Sequence, residues 1–147
     1  MGSGNIYGVA NPGLTPVSAI PSADVTLTAG SEVTVITSGA LAAFAPGEYC
    51  PVIHVVLAVL LGATAPTALQ FAFKIGSGSD VDTYVVEPGL LVALAEFTLT
   101  IFLLGVPDPA AWIGAGSTIN VTGKATTTAC TVKKVGSRAL FGLSRTV

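Results

Sequence analysis

The sequence predicts an all-β fold, a sandwich or a barrel, and three observations carry that reading. Apolar residues alternate with polar ones in short stretches, as in Leu69, Phe71, Phe73 and Ile75 against Gln70 and Lys74. Clusters of Gly, Pro, Ser and Asp separate these stretches at the spacing typical of short antiparallel strands. No apolar pattern of helical period survives beyond two turns.

Tyr49 to Ile75 organises the rest. It consists of two apolar runs broken at Gly62-Ala63-Thr64-Ala65-Pro66-Thr67, with no Asp, Glu, Lys or Arg between Tyr49 and Phe73. Val52 to Leu61, rich in Val and Ile between Pro51 and Gly62, reads as a deeply buried strand, and Leu69 to Ile75 as a half-buried one. Together they are expected to form a long central hairpin.

Residues 1–22 hold three prolines and four glycines without apolar periodicity, which predicts an extended N-terminal arm. The arm carries Ile6, Tyr7, Val9, Leu14, Val17 and Ile20, more apolar content than a free tail has. It is therefore expected to lie on its own domain, on a sister subunit or on another protein. Residues 23–147 form the folded domain.

Within that domain, Val25–Thr28 and Glu32–Thr37 are strands joined at Ala29-Gly30-Ser31, and a short piece at Ala40–Phe44 leads to the turn at Pro46-Gly47. After the central pair and the Gly76–Asp80 loop come Thr83–Val86, Leu90–Leu94 and Phe97–Leu104. A short helix competes only over Leu90–Glu96. A long loop, Gly105–Gly116, holds the only tryptophan. Ser117–Thr122, a turn at Gly123-Lys124, Ala125–Val132 and Lys133–Leu143 complete about eight to ten strands.

Composition narrows function. Half the residues are hydrophobic (51%) and 10% are charged, against roughly 25% in an average globular domain, so the chain has too few charges to cover its own surface. Either Thr, Ser and Gly form much of that surface, or copies or a partner cover part of it. A net charge of −2 argues against nucleic-acid binding, which needs clustered Lys and Arg. Val52–Leu61 is only ten residues, and Leu90–Val106 contains Glu96 and alternates, so neither matches the roughly 20 apolar residues of a spanning helix. Residues 1–14 have no basic and then apolar leader pattern, so no signal peptide is expected.

The chemistry-bearing residues are sparse. Cys50 and Cys130 read as buried free thiols, since no CxxC or Cys/His cluster accompanies them; a disulfide between them requires adjacent strands. With His54 as the only histidine, no zinc site is expected. His54 lies in an apolar run without a neighbouring Ser or Asp and reads as a buried structural histidine rather than a catalytic base. Gly76-Ser77-Gly78-Ser79-Asp80 lacks the phosphate-loop pattern, and Asp80, Asp82 and Glu87 lack Ca²⁺-loop spacing, so these carboxylates read as solvated. Glu96, on the polar parity with Thr98 and Thr100, is expected to be exposed. No cofactor, metal or catalytic set is predicted. Trp112, with Ile113, is either a plug on the end of the sandwich or an interface anchor.

The order of features resembles a known group. Two strands follow an apolar arm, Pro46-Gly47-Glu48-Tyr49 enters a long strand, and Gly62-Ala63-Thr64-Ala65 precedes an alternating one. The chain then closes through Ser117–Gly123, Thr131-Val132-Lys133-Lys134 and Arg138-Ala139-Leu140-Phe141. Over residues 24–143 this is similar to the single jelly-roll (TNF-like) proteins of virus particles, above all the capsid decoration or cement proteins of tailed phages. The resemblance is one of turns and strands, so it bears on fold more than on function.

It implies a non-enzymatic protein of the virion, made in the host cytoplasm and carried on the outer capsid surface. Its partners would be the major capsid protein and itself, as a homodimer or homotrimer, without nucleic acid or membrane. The contact candidates are Ile6, Tyr7, Val9 and Leu14 of the arm, and Trp112 with Ile113. A spike or fibre-head protein that binds a receptor or glycan through Trp112 beside Asp108 is the alternative. A hydrolase built on His54 and a genome-packaging shell protein are the remaining rivals. The arm has no basic residue with which to meet nucleic acid.

Overall fold

The structure is a computed structural model that describes residues 17–41, 48–105 and 116–146, with backbone alone for 48–50 and 143–146. Among the described residues, nine strands make two antiparallel sheets. Sheet A contains β1 (Val17–Ala19), β2 (Val25–Leu27), β4 (Glu48–Leu61), β7 (Glu96–Leu104) and β9 (Cys130–Thr146). Its order is β1-β9-β4-β7, with β2 beside β1 along the same edge of β9. Sheet B runs β3 (Glu32–Thr37), β8 (Ile119–Thr126), β5 (Ala68–Ile75), β6 (Asp80–Val85).

The expected central hairpin is not formed. β4 lies between β9 and β7 in sheet A, whereas β5 lies between β8 and β6 in sheet B. Gly62–Thr67 is thus a crossing from one sheet to the other. The physical reason is that both strands carry an apolar odd-numbered face. Ile53, Val55, Leu57, Val59 and Leu61 meet Leu69, Phe71 and Phe73 across the core, all of them almost fully buried. Val52–Leu61 is also not buried on both sides, because its even positions Val52, His54, Val56 and Leu60 point outward and are at least partly exposed.

Two further expectations change. β8 passes straight through Gly123-Lys124 instead of turning there. Gly123 faces the core at a point where an added Cβ would stand 2.9 Å from the Leu27 methyls and from Phe71, so its role is close packing. Leu90–Leu94 is not a strand: Pro88–Leu90 makes a single 3₁₀ turn, and the loop after it holds Leu94 at φ 61°. Ala42–Phe44 of the expected Ala40–Phe44 piece lies outside the described residues.

The core between the sheets is built from Leu27, Ile53, Leu57, Leu61, Leu69, Phe71, Phe73, Leu103, Ile119 and Phe141, each nearly fully buried. Burying a side chain of this size stabilises the fold by about 1.5–3 kcal/mol. In β9 the register with β4 slips between Val56 and Ala58. The extra residues form a bulge that turns at Gly136 (φ 90°) and aims the Ser137 hydroxyl back at the Ala58 N–H, 2.9 Å away. Among the described residues, no helix is long and apolar enough to cross a membrane.

Candidate functional site

The two outward faces of the sandwich differ sharply. On sheet B the outward side chains are mostly polar, among them Glu32, Gln70, Lys74, Asn120, Thr122 and Lys124, with Ala72 and the exposed Val85 as apolar positions between them. Lys74 binds Glu32 at 2.6 Å and lies 3.6 Å from Asp80, and Asn120 donates to the Gly76 carbonyl. The neighbouring Glu32 holds the Lys74 ammonium above its ordinary pKa. Lys74, Glu32, Asp80 and Asn120 thus have partners within the chain.

Sheet A presents the opposite. Its ladder sets Val52 between Leu104 and Gly142, and His54 between Phe102 and Leu140. All these positions share the outward parity. Phe102 is 65% exposed, Leu104 50%, Leu140 42% and Val52 38%, so three adjacent strands carry one contiguous apolar patch. The His54 ring stacks on Phe102, with centroids 4.6 Å apart and planes 12° from parallel. The patch is rimmed by Thr100 on β7 and Arg138 on β9, which flank Val56.

His54 is therefore a half-buried residue of the outer face and not the buried structural histidine expected. Its cross-strand partners, Phe102 and Leu140, supply neither nucleophile nor carboxylate. Glu96 is exposed on the parity of Thr98 and Thr100, as the alternation predicts. Among the described residues, no group of three or more His, Cys, Asp and Glu side chains is placed to hold a metal ion. Asp80 pairs with Lys74, and Asp82 accepts backbone N–H groups from Thr83 and Leu104.

Cys130 is a free thiol at the opposite end of the β4–β9 ribbon from Cys50, for Cys130 pairs with Leu61 and Cys50 with Ser144. Burial pushes its pKa up to about 11. A second apolar feature stands at the same end of sheet A as Cys130. There the 3₁₀ turn and the loop after it expose Leu90, Val92 and Leu94, the last of them held by its N–H to the Gly62 carbonyl at 2.9 Å.

The contact candidates Ile6, Tyr7, Val9, Leu14, Trp112 and Ile113 all lie outside the described residues. The residues that form the patch were not singled out from the sequence. The available signal was Ile101-Phe102-Leu103-Leu104, where both parities of a strand are apolar although only one faces the core.

No family model matches the sequence, and no curated protein matches it. Among solved structures, the xylan-binding module CBM15 superposes with a TM-score of 0.52 at 15% identity, over 88% of this chain and 97% of that one. Eiger TNF from S. frugiperda aligns at a TM-score of 0.47 and 10% identity, over 90% of this chain and 94% of the other. The VP2 subviral particle of infectious bursal disease virus aligns at 0.48 and 13% identity, over 90% of this chain but 37% of the viral one. The first likeness supports the jelly-roll sandwich that the strand order describes. At such identity it shows the fold and no more.

Proposed function

We propose that the protein is a structural, non-enzymatic component of a virus particle that attaches to the outer capsid surface and stabilises the shell. The observation that carries this reading is the bare apolar patch Val52–Phe102–Leu104–Leu140 on a protein otherwise poor in charge. A patch of this kind on a rigid sheet suits burial against another protein, with the central side chains supplying most of the binding energy. The partner is the major shell protein, and Trp112, Ile113 and the arm residues extend the contact. Copy number in purified particles, measured by quantitative mass spectrometry against the shell protein, tests the assignment. A simple ratio supports decoration of the lattice, a few copies per particle indicate a spike, and absence from particles removes the reading. Phe102→Glu is expected to abolish attachment while leaving the fold intact.

A second reading, a glycan- or receptor-binding head, draws on the exposed Phe102 ring stacked against His54, since an open aromatic face suits a sugar ring. Binding to a glycan panel that includes xylan, lost in Phe102→Ala, would favour it over decoration.

A further inference from the structure

We propose that the partner surface is apolar with a carboxylate at its edge, placed to receive Arg138. The inference rests on the reading of the patch as the docking surface and names the chemistry of what docks there. Taken in rows along β4, the outer face of sheet A changes character. The Val52 row, with Leu104 and Gly142, and the His54 row, with Phe102 and Leu140, hold the apolar patch. The next row sets Thr100 and Arg138 on either side of Val56, so an exposed guanidinium stands at the patch edge. The other described basic side chains are matched. Lys74 binds Glu32 and Asp80, Lys133 pairs with Asp24, and Lys134 donates to the Ser22 carbonyl. Lys124 stands opposite Glu32 in the β3–β8 register. Arg138 has no acidic partner among the described residues. Asp24 is taken by Lys133 and the Lys134 N–H. Glu96, the acid in these rows, lies beside Leu60, four residues along β4 from Val56 and two strands across. At about 3.3 Å per residue and 4.8 Å per strand that is roughly 16 Å, beyond the screening length of about 10 Å at 0.1 M salt.

Burying the patch takes Arg138 out of water with it. A charge desolvated without a partner opposes binding strongly. A carboxylate opposite removes that penalty, and the planar guanidinium donates to it through two parallel N–H bonds. A second copy of this chain does not supply one. Its patch rows carry the same Arg138 and His54 and no acid, so two such faces packed together bury two unmatched guanidiniums. One base beside an apolar sheet is also not the clustered Lys and Arg that a phosphate backbone requires. Charge complementarity therefore selects a different protein, the shell protein of the docking reading, with an Asp or Glu beside an apolar area.

The test measures attachment of the full chain to purified particles. Arg138→Glu is expected to weaken attachment about 30-fold or more, and Arg138→Lys by less, since lysine keeps the charge but not the fork. Arg138 is exposed, so both variants are expected to melt as the parent does. A carbodiimide joins an amine directly to a carboxylate. On particles carrying Arg138→Lys it is expected to link position 138 to an Asp or Glu of the shell protein, identified by peptide mapping. A product joining position 138 to a second copy of this chain would overturn the proposal. Attachment of Phe102→Glu is read alongside. If Phe102→Glu fails to attach while Arg138→Glu attaches as the parent does, the patch docks without a carboxylate and the proposal is overturned. If Arg138→Glu fails while Phe102→Glu attaches, the acidic contact stands and the apolar patch is not the docking surface. Attachment untouched by either variant, or absence of the parent from particles, removes both readings.

Discussion

The Asp82 carboxylate of β6 and the Leu104 backbone N–H of β7 meet at 2.8 Å, linking the edge strand of one sheet to the edge strand of the other. An edge strand exposes unpaired N–H and C=O groups. Asp82 occupies one of those donors with a charged acceptor, while its other oxygen takes the Thr83 N–H at 2.9 Å.

Asp82→Ala removes this link and leaves the Leu104 N–H to water. The bond is at the surface, so the expected loss is about 1 kcal/mol, read as a lower urea midpoint with an unchanged slope. Asp82→Asn keeps an acceptor and is expected to recover part of the loss. If both variants unfold as the parent does, the link contributes nothing.

Gly123→Ala puts a methyl group 2.9 Å from Leu27 and Phe71, two fully buried side chains. Overpacking of this kind costs about 1–3 kcal/mol. Leu27→Ala in the same chain opens the space that the new methyl needs. The double variant is therefore expected to be more stable than the sum of the two single effects, and simple additivity in denaturant unfolding would reject the packing account.

Ser137→Ala tests the bulge. The hydroxyl is buried and accepts the Ala58 N–H at the point where the β4–β9 ladder slips. Removing it leaves a buried donor unpaired, at an expected loss of about 1–3 kcal/mol. Amide exchange at Ala58 is expected to speed up more than at Val55 or Val59, and uniform acceleration would mean that the bond does not act locally.

Cys130 is shielded in the folded state, its thiol pushed up to about 11 by burial. Since the thiolate is the reactive form, alkylation at neutral pH is expected to be slow in the native protein and to rise by orders of magnitude in denaturant. Peptide mapping after alkylation resolves Cys130 from Cys50. Fast native labelling at Cys130 would show that this end of the sandwich opens readily.

How much of this was legible in the sequence follows from what period-two alternation encodes. Leu69–Ile75 and Phe97–Leu104 read correctly because their own residues report which face is buried. The pairing of β4 was not legible: a strand's residues do not say which strand lies beside it, and Gly62–Thr67 fits a turn as well as a crossing. Gly123 was misread for a related reason, since a glycine looks the same whether it turns the chain or admits Leu27 and Phe71. The patch escaped notice because Phe102 and Leu104 resemble core residues until the opposite parity is seen to fill the core.

Asp24 supplies a pH test with a definite sign. Its carboxylate accepts the Lys134 backbone N–H at 2.8 Å and pairs with the Lys133 ammonium at 3.0 Å, tying the approach to β2 against the β9 bulge. First the backbone N–H and then Lys133 hold its pKa below the ordinary 3.8. A carboxylate depressed in the folded state contributes stability above its unfolded pKa and loses it as pH falls through the folded value. The melting temperature of the parent is therefore expected to exceed that of Asp24→Asn at about pH 6 and to converge on it well below 3.8. Because Asp24 is exposed, added salt is expected to narrow the gap by weakening the Lys133 pair while sparing the backbone bond. A gap that persists unchanged into strong acid would mean that the carboxylate's charge has no part in holding β2 to β9.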